Sequence, residues 1–431
     1  MDSSLSKKGS IGFLSITAIG IGGMVGGGIF AVLGLAVYLA KGGTPLAFTL
    51  SGIVAAVTAY SYAKLSVRYP SEGGTVKFLN QAFGTGITTG SLNVLLWISY
   101  LVMVSLYSYA FGSYGATFFP QASHEFWRHI ITSGVIILFT ILNMLGAASV
   151  GKAEEWIVGI KLLILLFFVG VGFFSIDSTR LEPSTWTAPL ALIAGGMIIF
   201  VAYEGFELIA NTAQDVKNPK KTLPQAYMSA VGFVIVLYIL VSLVTVGNLP
   251  LAKIMATKDY ALAAAAKPFL GQFGFTLIAI AALLATSSAI NATLYGAARI
   301  SYIIAKDGEL PAKLEKNIWK QPMEGLLITC GLSLLIANFF DLSNIATMGS
   351  AGFLLIFAMV NASNVKLYKE TRSKRWLAFT GLILCLGALA ALIIQTAKMS
   401  PKTIWVLVVM GGLSFLIEVV YRKTTGREIK V

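Results

Sequence analysis

Twelve apolar runs, each long enough to cross a bilayer as a helix, follow one another along this chain. They lie near 11–40, 45–66, 86–113, 128–147, 153–175, 187–213, 223–248, 272–304, 324–340, 345–366, 376–396 and 403–421. A helix rises 1.5 Å per residue, so about 20 apolar residues span the hydrocarbon layer. No large soluble domain fits between the runs. Composition closes the other options. Only 12% of residues are charged and 56% are apolar, whereas a soluble domain carries about 25% charged residues. Too little polar surface remains to wrap a water-soluble globule, and disorder needs the opposite balance. The expectation is an all-α integral membrane protein with 12 transmembrane helices.

The net charge of +13 is distributed, not clustered. With twelve spans and the N-terminus inside, 23 lysines and arginines fall on one side and 8 on the other, and Lys161 alone sits within a span. This bias predicts cytoplasmic termini in a multi-pass protein of the cell membrane. It also makes membrane lipid, not nucleic acid, the partner of the positive charge. Cys330 and Cys385 lie in apolar stretches without a CxxC pattern. The segment MDSSLSKKGS precedes a first run with no A-x-A cleavage site, which reads as a retained span.

Two runs look interrupted. In the first, IGIGGMVGGGIF places Gly22, Gly23, Gly26, Gly27 and Gly28 near mid-depth. Gly22-x-x-x-Gly26 suits close helix packing, but three consecutive glycines exceed what packing needs, since each weakens a helix by about 1 kcal/mol relative to Ala. A local break is therefore expected. In the sixth, FVAYEGFELIAN carries Glu204, Gly205 and Glu207 halfway along an apolar segment. Carboxylates at that depth point to function. Breaks in runs 1 and 6 are offset by five, and five is odd, so a tandem copy inserts upside down. Matched interruptions of this kind predict a 5+5 inverted repeat. The implied division is a tail at 1–10, halves at 11–175 and 187–366, two extra C-terminal helices at 376–421 and a tail at 422–431.

A broken helix exposes N–H groups at one end, which suit an anion, and carbonyls at the other, which suit an ammonium group. Gly27 and Gly28, beside Gly26, are the expected donors; carbonyls near Met24, Val201 and Glu204 are the expected acceptors. An anion hole facing an ammonium cradle suits an α-amino acid.

The motifs GGMVGGGIF (22–30), YPSEGGTV (69–76), AYEGFE (202–207), DVKNPKKTLPQA (215–226) and AKDGELP (305–311) occur in this order over nearly the whole chain. Together they resemble the amino acid–polyamine–organocation transporter family, which shares the inverted-repeat fold of the bacterial leucine transporter. The fifth run, GKAEEWIVGIKLLIL, is similar to a proton-coupled archaeal and bacterial branch with a lysine here. The resemblance implies an amino acid transporter working by alternating access, with Phe206 as a gate and with Ser287 and Ser288 beside the first span, where sodium-coupled relatives bind sodium. Two positions depart from the family pattern. Gly27 stands where many relatives have Ser, and Glu204 stands where several have an apolar residue, which leaves a cationic substrate open.

Lys161 lies ten residues past Gly151, about 15 Å along a helix, among apolar neighbours. At half depth its stem is too short to snorkel to an interface. Burial disfavours a charged amine, so this group can load and release a proton. By the resemblance, it reaches the Gly22 carbonyl and the hydroxyls of Ser287 and Ser288, as a removable charge in place of sodium. Glu207 is expected to support the broken segment or coupling.

The remaining candidates are weak. The histidines of HEFWRH (124–129) lie about 140° apart round a helix, unlike the two of HExxH. No GxSxG or phosphate-binding loop is present. Neither an enzyme, a cofactor nor a metal is therefore expected, and Asp341, Glu154, Glu155 and Glu324 read as solvated caps. The reading is proton-coupled uptake of amino acids by a monomer or weak homo-oligomer. An exchanger of amino acids or polyamines, and a receptor that binds without transporting, are the alternatives.

Overall fold

The computed structural model describes residues 11–145, 151–306, 308 and 323–425. The tails 1–10 and 426–431, the side chains of Glu154 and Glu155, and most of the 305–311 motif lie outside the described residues. Among the described residues sixteen α-helices follow in chain order: α1 (Phe13–Ala40), α2 (Thr44–Arg68), α3 (Thr75–Phe83), α4 (Ile87–Ala116), α5 (His124–Met144), α6 (Gly151–Gly172), α7 (Pro189–Ile198), α8 (Leu208–Asn211), α9 (Pro219–Asn248), α10 (Leu251–Ala256), α11 (Ala261–Lys306), α12 (Met323–Phe339), α13 (Leu342–Lys366), α14 (Tyr368–Thr371), α15 (Arg375–Met399) and α16 (Pro401–Thr425). Among the described residues, extended backbone pairs at two isolated bridges, Ile11 with Val216 and Lys41 with Trp186.

Among the described residues eleven helical segments are long and apolar enough to cross a membrane, and α12 is a shorter apolar helix of 17 residues. Each matches one expected run. Proline opens or nearly opens α2, α7 and α9, where its missing N–H has no partner to lose. The Asp341 carboxylate caps α13, accepting the Asn344 N–H at 2.7 Å, as expected of a cap. At 46 residues α11 is too long for one crossing; non-helical backbone at Gly271 (φ 61, ψ −154) divides it, just where the eighth run was expected to begin. The short helices α3 and α10 had no counterpart among the apolar runs, being only 9 and 6 residues long.

Burial sorts the helices into an inner and an outer set. α1, α4, α13 and the middle of the α7–α8 segment are enclosed, while α5, α15 and α16 expose apolar side chains such as Ile141, Phe379 and Val408. An apolar outer face belongs against lipid tails. α4 packs on α5, α11, α13 and α16; α1 lies between α9 and α11; α2 lies on α9.

One expectation is corrected. α1 is helical from Phe13 to Ala40, without the break expected at its glycines. Those glycines instead admit other backbones. A methyl group on Gly23 would lie 2.7 Å from the Gly205 carbonyl oxygen, and one on Gly28 would lie 2.5 Å from that of Ala202. A helix keeps its hydrogen bonds when it is approached this closely, so the packing role suffices. The expected break in the sixth run is present: α7 ends at Ile198, a 3-10 turn covers Ile199–Tyr203, and helix resumes only at Leu208. The paired interruption on which the inverted repeat was argued is thus seen on one side alone.

Candidate functional site

Unwinding frees backbone groups that α-helix would have paired, and the structure gives several of them side-chain partners. The Val201 N–H donates to Ser350 Oγ at 2.9 Å. The Tyr238 hydroxyl donates to the Met24 carbonyl at 2.7 Å, with the Ala202 carbonyl 3.1 Å away. Gly205 has φ +120, which side-chain-bearing residues rarely adopt, and its N–H donates to Glu207 Oε2 at 2.8 Å. Glu207 therefore holds the Gly205 amide within the interruption. Its other oxygen accepts the Tyr100 hydroxyl at 3.3 Å.

Beside this stretch lies a cavity of about 300 Å³, walled by Gly22 and Gly23 of α1, Tyr107 of α4, Glu204 and Gly205, and by Ser288, Asn291, Thr293 and Tyr295 of α11. Glu204 Oε2 accepts the Tyr107 hydroxyl at 2.8 Å. A carboxyl at the cavity wall gives an ammonium group a partner.

Of the expected site residues, Gly22, Glu204 and Ser288 reach this wall. Met24, Gly26, Gly27, Gly28, Val201 and Phe206 are buried but stand outside it. The expected anion hole at Gly27 and Gly28 does not form. Within an unbroken helix their N–H groups point to carbonyls one turn back. The Tyr107 ring covers Gly27, and the Ala202 backbone covers Gly28. Phe206 packs edge-on against Tyr62 and tilted against Phe357, with centroids at 5.5 and 5.1 Å.

Lys161 is wholly buried, and its Nζ donates to the Gly22 carbonyl at 3.1 Å. The expected reach from α6 to α1 is present. Ser287 differs from expectation: its hydroxyl donates to the Leu283 carbonyl at 2.7 Å, one turn back in its own helix.

At one end of the cavity, Arg299 of α11 pairs with Glu72, and Gln214 Nε2 donates to Glu72 Oε1 at 2.6 Å. Partial burial pushes the Glu72 carboxyl up, but the bonds from Arg299 and Gln214 outweigh it and hold the group below its ordinary range. Three segments distant in sequence are joined across the mouth. At the opposite end of the bundle, His124 bonds the Phe119 carbonyl and His129 bonds Asn338, so the two histidines take separate partners.

A profile described as amino acid permease matches residues 11–415. The chain belongs to the amino acid permease family. An uncharacterized protein of Methanocaldococcus jannaschii is 35% identical over 98% of this chain and 97% of its own length. An inner membrane transport protein of Escherichia coli is 33% identical over 92% and 93%. The branched-chain amino acid permease of Bacillus subtilis is 24% identical over 85% and 82%. This permease is accordingly a multi-pass membrane transporter.

Sequence reasoning missed the tyrosines of the site. Tyr100 and Tyr107 look like interior residues of an apolar run, and only the fold turns both hydroxyls to the carboxyls of a segment about one hundred residues away. Glu72 stood inside a motif, but nothing local pointed to Arg299.

Proposed function

We propose that this permease takes up amino acids across the cell membrane by alternating access, with a proton carried on Lys161. The observation that carries this reading is the bond from Lys161 Nζ to the Gly22 carbonyl, made by a wholly buried side chain. An ammonium group at this depth depends on the groups that touch it. While protonated, Lys161 ties α6 to α1 beside the cavity. Loss of the proton releases the Gly22 carbonyl and lets α1 part from α6. Ser288, on the wall of the same cavity as Gly22, lies on the third helix of this junction. Glu204 meets the substrate ammonium group. Gly26, Gly27, Gly28, Met24, Val201 and Phe206 shape the packed region behind it. Both termini lie in the cytoplasm, on the side rich in lysine and arginine.

The test is uptake into proteoliposomes, after a binding screen of common amino acids and polyamines has named a substrate. Accumulation rises as the outside is acidified and ignores sodium. Lys161→Ala abolishes accumulation while substrate binding persists. Accumulation against a gradient by Lys161→Ala, or a sodium requirement in the wild type, overturns the mechanism. Uptake that appears only with a preloaded counter-substrate identifies an exchanger instead.

A further inference from the structure

A second cavity, of about 620 Å³, opens at the lysine- and arginine-rich end of the bundle and shares no wall residue with the first. Its cations come from three segments: Lys64 and Arg68 from the C-terminal end of α2, Lys220 from the first turn of α9, and Lys369 and Arg372 from α14 and its cap. They face one carboxylate, Glu370, and that group is engaged by the Tyr69 hydroxyl at 2.5 Å. Among the described residues, none of the five cations forms an ion pair. Lys64 Nζ reaches the Arg372 carbonyl at 3.5 Å, which leans the lysine into the concavity. Arg372 itself adopts left-handed backbone (φ 50, ψ 40), turning the chain round the cavity after α14.

Lysines that merely solvate a surface spread apart, because like charges repel. Five cations that converge on one concavity, facing a single carboxylate already engaged by a tyrosine, create a positive potential there. We propose that this cavity binds a phosphate-bearing anion, which ties α2 and α9 to the turn between α13 and α15. Phosphate oxygens accept charge-assisted bonds from lysine and paired bonds from arginine. Two sources share this chemistry, a phospholipid headgroup of the adjoining leaflet and a soluble phosphate anion. Met228, one turn beyond the wall residue Pro224, is 43% exposed and offers an acyl chain an apolar flank.

The test follows thermal unfolding of the purified full-length protein in detergent, titrated with dioctanoyl phosphatidylglycerol, dioctanoyl phosphatidylcholine or inorganic pyrophosphate. Phosphatidylglycerol, pyrophosphate or both raise the unfolding midpoint, and phosphatidylcholine does not. A response to phosphatidylglycerol alone assigns the site to a leaflet headgroup; a response to pyrophosphate assigns it to soluble anions as well. The triple variant Lys220→Gln, Lys369→Gln, Arg372→Gln weakens the apparent affinity about tenfold or more. The pair Lys398→Gln, Lys402→Gln, at the opposite end, leaves it unchanged. Should the triple variant fail to fold, Lys220→Gln alone weakens the response by a smaller factor. No response of the wild type to either anion, or equal responses from wild type and cavity variants, overturns the proposal.

Discussion

Gly28→Ala tests the packing of α1 against the unwound stretch. Were the glycine in open helix, alanine would stabilise it by about 1 kcal/mol. Here the new methyl lies 2.5 Å from the Ala202 carbonyl oxygen and 2.9 Å from Ala202 Cα. Carbon-to-oxygen contact needs about 3.3 Å, so something must yield by about 0.8 Å. The atoms it meets are backbone, held by Tyr238 at Ala202 and by Ser350 at Val201. They cannot swing aside as a side chain would, and overpacking of this kind costs about 1–3 kcal/mol. Gly232 of α9 supplies the control, because a methyl there meets nothing within 4 Å. Gly28→Ala should therefore fall about 1–3 kcal/mol below Gly232→Ala in stability. Unfolding midpoints measured side by side in one detergent read the order. Substrate uptake by Gly28→Ala should fail even where folded protein is recovered, since the displaced segment carries Glu204. An unfolding midpoint for Gly28→Ala at or above that of Gly232→Ala refutes the close-approach argument.

Three further outcomes are expected. Glu204→Gln keeps an acceptor for Tyr107 but removes the ionisable carboxyl at the cavity wall, so the ranking of neutral against basic substrates changes; an unchanged ranking makes Glu204 structural. Glu207→Ala leaves the buried Gly205 N–H without its acceptor and destabilises by about 1–3 kcal/mol, whereas Glu207→Gln retains an oxygen and stays near wild type in unfolding assays. Equal loss in both variants removes the supporting role. Glu72 carries a depressed carboxyl, so its pairing with Arg299 is fully present above the ordinary value of 4.5 and fades as pH falls through the lower, folded value. Both partners are partly exposed, so the effect is modest: between pH 7 and pH 3 the wild-type midpoint drops more than that of Glu72→Gln, and parallel curves remove the stabilising role of the Glu72–Arg299 pair.

Much of this protein could be read without coordinates, for a physical reason. In a bilayer each crossing must satisfy its own backbone, so local apolar length alone located the eleven helices long enough to cross and the shorter apolar α12. The depth of Lys161 followed from counting residues along one helix, and the interruption near Gly205 followed from carboxylates where lipid tolerates none. The glycines of α1 were ambiguous because the same residue permits both a break and a close approach. What decided between them was the backbone of residues 202–205, about 180 positions away, lying against an intact helix. Tyr107 over Gly27, Arg299 on Glu72 and the five cations round the second cavity are likewise products of packing. Their partners are set by which helices touch, and hydropathy along one segment carries no information about its neighbour.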